Sequence, residues 1–263
     1  MIEIRASALS EFFDCAARAE AKHLLGLKMP SSGAAQLGTA IQASTAVYDQ
    51  GTLDGAGITP NEAFGAAVDA IYHPQQEVVW DEDNPQKDAE KIAAALHTKY
   101  CAEIAPKQSY AAVEVKCERL EISDLNIALT GTTDRIRKVE DGYGIGDLKT
   151  GKTAVGSDGT VKTAGHAVQI GVYELLAERA SGIPITAPAQ IIAMQTGKTD
   201  KAQRIGTGNI VGARELLVGE EDSPGVLQMV SRMIDHGDFF GNPRSMLCGE
   251  RWCPVWAHCR WRK

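Results

Sequence analysis

The chain has 263 residues, 44% of them hydrophobic, and a formal charge of −7. Length and apolar content support one large domain with its own core, or a core plus a small helical cap, and no run approaches the roughly 18 apolar residues of a membrane span. The negative balance argues against a protein that coats nucleic acid through overall basicity, though not against an enzyme that meets nucleic acid at one carboxylate-bearing site.

In chain order, MIEIRASALSEFF carries charge where a signal peptide needs an apolar stretch, so a soluble, intracellular protein is expected. Ser7 is a suitable cap for a helix to about Leu25, with Leu9, Phe12, Phe13, Ala16 and Ala17 on one face. A second helix is expected over Ala34–Gln50, a third over Asn61–Ile71 behind Pro60, and a fourth from Asn84–Pro85 through Ile92, Leu96 and Tyr100. Near Ala111 the period becomes two: Val113, Val115 and Cys117 alternate with Glu114, Lys116 and Glu118. Strands are predicted over Ala128–Val139 and Tyr143–Thr150, joined at Glu140-Asp141-Gly142. A helix over Ala164–Arg179, a buried strand over Pro188–Gln195 and a helix over Pro224–His236 complete the pattern. The order implies an α/β fold, a mixed central sheet flanked by helices, with a helical N-terminal elaboration.

The chemistry concentrates in GTTDRIRKVEDGYGIGDLKTGK, residues 131–152. Asp147 and Lys149, two apart on one strand, project from the same face. A two-residue loop at Glu140–Asp141 would set Asp134 opposite Asp147; a loop at Asp141–Gly142 would set it opposite Lys149. In either register two carboxylates and one ammonium converge. Carboxylate oxygens suit Mg²⁺ or Mn²⁺, which can polarise a phosphodiester and acidify a bound water. A lysine can orient that water or offset the charge that develops. Spacing alone is met equally by a surface hairpin with ordinary ion pairs. Basic groups that could meet phosphates stand at Lys149, Lys152 and Lys162, at Lys198, Lys201 and Arg204, and at Arg260, Arg262 and Lys263; the middle cluster reads best as solvated surface.

Asp134 followed by Gly-Asp-Leu-Lys-Thr-Gly-Lys at 146–152, and then Gln169-Ile-Gly-Val-Tyr173 on the next helix, resembles the motif set of PD-(D/E)XK nucleases. The likeness is to the RecB/AddB-type branch, which includes CRISPR-adaptation nucleases and phage exonucleases. The resemblance implies a restriction-endonuclease-like core. It makes Asp134, Asp147 and Lys149 catalytic, with Asp134, Asp147 and the Leu148 backbone carbonyl as metal ligands. Gln169 and Tyr173 would contact DNA. Glu114, on the strand before Asp134, is either a further ligand or a solvent-facing residue. Family members carry G-x-x-x-H on an N-terminal helix; here Gly38-Thr-Ala-Ile-Gln42 has glutamine instead, a weaker ligand that cannot titrate. His166, one turn before Gln169, is a partial substitute or a plain surface histidine.

Cys248-x₄-Cys253-x₅-Cys259 packs three thiols into the last sixteen residues, and three thiolates need a fourth ligand to close a tetrahedral or cubane site. The same family closes a 4Fe–4S cluster with one N-terminal cysteine, which makes Cys15 the fourth ligand here. Zinc is the alternative, with His23 and His258 as further donors, and three free thiols are a third reading. Cys101 and Cys117 read as small core residues. The implied organisation is one nuclease domain over 1–263: a helical part (1–110), a core (111–240) and an iron–sulfur loop (241–263) on the first helix. The expected function is a Mg/Mn-dependent DNA exonuclease of phage or prokaryotic recombination and repair. Its partners would be DNA and a recombination, single-strand-binding or helicase protein, in the cytoplasm (the host's, if phage-encoded). The alternative is a catalytically weak nucleic-acid-binding or scaffold subunit on the same fold.

Overall fold

A computed structural model describes residues 1–262; Lys263 of the predicted basic tail lies outside the described residues. Six strands form a mixed sheet: β1 (Ile2–Arg5), β4 (Tyr110–Ile122), β5 (Ile127–Val139), β6 (Gly142–Gly151), β7 (Ala189–Gln195) and β8 (Ile205–Ile210). Two-residue strands β2 (Ser31–Ser32) and β3 (Val78–Val79) pair in parallel beside it, and β9 (Gly219–Glu220) with β10 (Ser223–Pro224) makes a small hairpin. The mixed α/β architecture is the one the element order implied.

Helices cover both faces. On one side lie α3 (Gly33–Leu53), α4 (Pro60–Tyr72) and α5 (Gln86–Lys99). Leu37, Ile41, Ile71 and Leu96 pack there against Leu148, Ile192 and Met194 of the sheet. The other side carries α6 (Ala167–Ser181), α7 (Ala213–Val218) and α8 (Val226–His236). Ile136, Ile145 and Ile191 meet Ile170, Leu176 and Leu217 in that second core. Local signals set the helix ends. Ser32 accepts from the Ala35 amide at 3.2 Å to start α3, and Thr59 with Glu62 forms a reciprocal capping box at α4 behind Pro60. Gly182 ends α6 at φ +70°, the left-handed conformation glycine adopts without strain.

Strand β5 organises the sheet. β4 runs antiparallel along one whole edge. The other edge is divided: β1 pairs in parallel with Ile127–Thr130, and β6 pairs antiparallel with Arg135–Val139. Among the described residues, positions 131–134 face no strand on that edge. Beyond Gly146, β6 leaves β5 and continues only with β7, Gly146–Gly151 beside Gln190–Gln195. The sheet forks where β5 and β6 part.

The expected first helix is a departure. Residues 2–5 are strand, Glu11–Asp14 (α1) and Ala16–Ala19 (α2) are single turns, and a π-turn covers Glu20–Leu24. Cys15 is extended between the turns, at φ −154° and ψ 95°. The break frees backbone groups for the C-terminal segment. The Ala17 amide donates to Phe240 O at 3.0 Å, and Asn242 Nδ2 donates to Asp14 O at 2.9 Å. Strand β8 and helix α7 were not foreseen. Among the described residues no helix is long and apolar enough to cross a membrane.

Candidate active site

The hairpin adopts the Glu140–Asp141 loop: Val139 pairs with Gly142 and Arg135 with Gly146. One step further, Asp134 and Asp147 face each other at the base of the fork, both buried. Parting from β5 leaves the Leu148 amide without a ladder partner, and Asp134 Oδ2 accepts it at 2.8 Å. In a strand the N–H and C=O of one residue point to the same edge, so the Leu148 carbonyl also faces the fork. Lys149 Nζ donates to Asp147 Oδ1 at 2.9 Å. Its distance to Oδ2 is 2.6 Å, but the angle makes no hydrogen bond, and Oδ2 is a buried acceptor with no such partner among the described residues.

Helix α3 supplies the third wall. A Cβ on Gly38 would lie 2.7 Å from Thr150 Oγ1, so glycine lets the helix press onto β6. One turn on, Gln42 Nε2 donates to Asp134 Oδ1 at 2.8 Å and to Glu114 Oε1 at 3.2 Å. One amide therefore joins both carboxylates. Glu114 faces solvent, its side chain 41% exposed, yet it departs from the regular strand backbone. It holds φ +49°, a conformation that costs a non-glycine residue about 1–2 kcal/mol and turns its side chain toward Asp134. From α6, Gln169 Nε2 donates to the Tyr173 hydroxyl at 2.8 Å, and Tyr173 lines a groove beside Gly131 and Thr132.

The electrostatics favour a bound cation. Burial, and then the Asp147 charge, push the Asp134 carboxyl up to about 6. Burial also raises Asp147, against the pull of Lys149, and burial with the Asp134 charge raises Glu114. Burial and the Lys149 charge depress His166, keeping its imidazole neutral. The acceptor-rich fork, in which the Asp147 carboxylate is held by the Lys149 ammonium alone, is a hard-cation donor set. Among the described residues, however, no three His, Cys, Asp or Glu side chains stand close enough together to enclose an ion as placed.

Four residues without a motif support this site from beneath. Arg135, fully buried next to Asp134 in sequence, donates to Asp49 Oδ2 at 2.9 Å and to Thr45 Oγ1 at 2.9 Å. The Tyr100 hydroxyl donates to the same Asp49 oxygen at 2.6 Å. Gln42, Thr45 and Asp49 stand three and seven residues apart on one face of α3, a polar stripe visible in the sequence as periodicity.

The second constellation lies at the chain's two ends. Cys15, Cys248, Cys253 and Cys259 line a single small cavity, together with buried Arg18. The Asn242 amide donates to Cys15 Sγ at 3.4 Å, and Ser245 Oγ to Asp14 Oδ2 at 2.7 Å. Burial raises the Cys253 thiol, with smaller contributions from Cys15 and Cys259. The donor set fits a four-thiolate centre, although the thiols have not drawn in to enclose an ion. His23 lies 3.5 Å from Glu11, and neither it nor His258 lines the cavity among the described residues. Cys101 and Cys117 are buried elsewhere, one in each core.

Comparison with known proteins places the family and the fold. The family model of the PD-(D/E)XK nuclease superfamily matches residues 4–260. A crystal structure from Eubacterium rectale, provisionally named an exonuclease, superposes at a TM-score of 0.56 with 17% identity, covering 99% of this chain and 89% of that one; this likeness concerns the fold. No curated protein matches the chain. With nearly its whole length matched, and with the fork, the paired aspartates and the lysine in place, the chain belongs to the PD-(D/E)XK nuclease superfamily.

Proposed function

We propose that the protein is a Mg²⁺- or Mn²⁺-dependent DNA exonuclease of the RecB/AddB-type branch, acting in phage or prokaryotic recombination and repair. The observation that carries this reading is the meeting of Asp134, Asp147 and Lys149 at the fork, within reach of Gln42 and Glu114. Asp134, Asp147 and the Leu148 carbonyl would hold the ion, with Gln42 and Glu114 beside it. Bound there, the ion would polarise the phosphodiester and lower the pKa of its water. Lys149 holds a proton-rich ammonium over Asp147, where it can orient a nucleophilic water and offset charge on the phosphate. Gln169 and Tyr173 offer an amide and a hydroxyl to the substrate backbone. The test is digestion of end-labelled linear and circular DNA with and without Mn²⁺. Metal-dependent shortening from the ends of linear DNA alone supports the reading, and intact DNA under every condition refutes it.

The Gln42 amide occupies an Asp134 oxygen that the ion needs. Gln42→His replaces a donor with an imidazole that can ligate, so Mn²⁺ binding by titration calorimetry is expected to tighten about tenfold. Unchanged or weaker binding places Gln42 outside the metal shell.

The helical part (1–110), the core (111–240) and the cysteine loop (241–263) act in this reading as one domain, with the loop joined to the chain's start by a 4Fe–4S cluster on Cys15, Cys248, Cys253 and Cys259. The shared cavity supports it. Each Cys→Ser change among these four is expected to remove the iron and visible absorbance of anaerobically purified protein. Each should also expose the loop to proteolysis near Arg244 or Arg251, while Cys101→Ser and Cys117→Ser keep both properties. Zinc without iron in every preparation replaces the cluster by a zinc site; iron retained by Cys15→Ser removes that ligand.

A further inference from the structure

Three surface grooves adjoin one another through shared lining residues. The first contains Thr150, Gly151 and Lys152, which directly follow the Asp-Leu-Lys motif on β6, and reaches Ser32, Ala35, Arg251 and Trp252. Those last four residues also line the second and largest groove, of about 910 Å³, which continues past Lys28, Lys22 and Arg5. Arg5 opens in turn onto the third groove, the one lined by Tyr173. A track thus runs from the end of β6, past the cysteine loop, to Tyr173 on α6 and the unpaired Gly131 and Thr132 of β5.

The middle of this track runs against the charge of the whole protein. The chain carries −7, yet the large groove exposes Arg5, Lys28 and Arg251, with Lys22 partly exposed and paired to Glu11, against one lining carboxylate, Glu77; carboxylates line the grooves at its two ends, Asp81 and Asp83 at one and Glu3 and Glu118 at the other. At the junction of the first two grooves stands Trp252, 37% exposed, with the Arg251 guanidinium 4.6 Å from its ring centroid. Both residues lie between Cys248 and Cys253, so the cysteine loop presents them. Arg251 also pairs with Asp81 from the segment before α5, across the same junction. A cationic channel bearing an exposed indole matches a polyanion whose bases are free to stack. A duplex keeps its base faces covered and offers the indole nothing.

We infer that this track binds single-stranded nucleic acid on its way to or from the fork, with Trp252 as a stacking platform and Arg251 exchanging Asp81 for a backbone phosphate. The inference rests on the nuclease reading and adds the strand's path and the cysteine loop's part in it. Affinity for a fluorescein-labelled oligothymidylate, measured by anisotropy in EDTA, tests it alongside Mn²⁺-dependent hydrolysis of thymidine 5′-(p-nitrophenyl phosphate), too short to reach the track. Trp252→Ala is expected to weaken oligonucleotide binding about tenfold, Trp252→Phe to restore most of it, and Arg251→Gln to lower the salt dependence by about one phosphate contact. Hydrolysis of the short ester should be unchanged in all three, which also certifies their fold. Wild-type affinity in Trp252→Ala, or Trp252→Phe no better than alanine, overturns the track. An equal loss on duplex DNA overturns the single-strand assignment. A wild type that cleaves the short ester while all variants bind alike leaves the nuclease and removes the track; one that neither binds nor cleaves removes both.

Discussion

Asp134→Asn should lower DNA cleavage by at least about a thousandfold, a loss typical when a preorganised charge is removed from a reacting centre, and should raise the melting temperature of the metal-free protein. The two effects have one cause. Burial and the neighbouring Asp147 push the Asp134 carboxyl up to about 6, from the 3.8 of a free side chain. A carboxyl raised on folding contributes stability that is complete below the unfolded value and lost as pH rises through the folded one. Without metal, the wild type should therefore lose stability between about pH 4 and pH 6, and the asparagine variant should lose less. At neutral pH the difference is on the order of 1–3 kcal/mol. Gln42 can turn its amide to suit the new side chain. Asp147→Asn and Lys149→Ala should abolish cleavage similarly, but only the aspartate changes should remove Mn²⁺ binding. Scanning calorimetry in EDTA at pH 4.5 and pH 7.5, with a gel assay on the same preparations, measures both effects. A well-folded Asp147→Asn protein that cleaves at the wild-type rate would exclude the fork as the catalytic centre.

The second large effect should come from beneath the site. Asp49 is 2% exposed and Arg135 is wholly buried. Removing Asp49 leaves the Arg135 guanidinium, among the described residues, only the longer 4.0 Å ion pair with Glu114, and breaking a buried pair in this way costs about 3–5 kcal/mol. Asp49→Ala also takes the acceptor from the Tyr100 hydroxyl. A loss of that size in a chain this long is a fall of roughly 10 °C in melting temperature. Because Arg135 begins the paired part of β5 and Asp134 ends the unpaired part, cleavage should fall along with stability. Replacing both partners, Asp49→Leu with Arg135→Met, should recover much of the stability, since two apolar groups leave no orphaned charge. Thermal or urea unfolding of the three variants decides the matter, and an Asp49→Ala protein within 1 kcal/mol of wild type would show that water reaches the pair.

The parts of the fold that could be read in the sequence are those governed by local rules. The β5–β6 hairpin followed from a short turn-rich loop between alternating stretches, and the helices behind Pro60 and Pro85 from the prolines at their starts. Strand β1 was missed although Ile2 and Ile4 alternate with Glu3 and Arg5, because four residues gain a sheet partner only at Ile127–Thr130, far along the chain. Strand β8 carries Gly206 and Gly208, poor strand formers. They are needed because a Cβ on Gly208 would lie 2.9 Å from Thr163 and one on Gly206 3.1 Å from Val161. The interruption at Cys15 left no local sign, since the flanking Phe12, Phe13, Ala16 and Ala17 suit a continuous helix; its cause is the C-terminal segment that bonds there. At the candidate site, strand spacing together with the resemblance to PD-(D/E)XK nucleases singled out Asp134, Asp147 and Lys149, which the fold brings together. The left-handed backbone of Glu114 and the burial of Arg135 against Asp49 arise only from tertiary packing.

The divided edge of β5 bears on the order in which the molecule assembles. The β5–β6 hairpin closes over two residues and the three N-terminal helices pack on near neighbours, so both can form early. Seating β1 on β5 in parallel requires closing a loop of more than a hundred residues, an entropic cost that delays such contacts. Docking Asn242 against Asp14 and Cys15 spans nearly the whole chain. A refolding molecule should thus regain its helical circular dichroism well before its fork has both prongs, and a chain still emerging from the ribosome would carry Asp134 and Asp147 side by side without yet being able to cut.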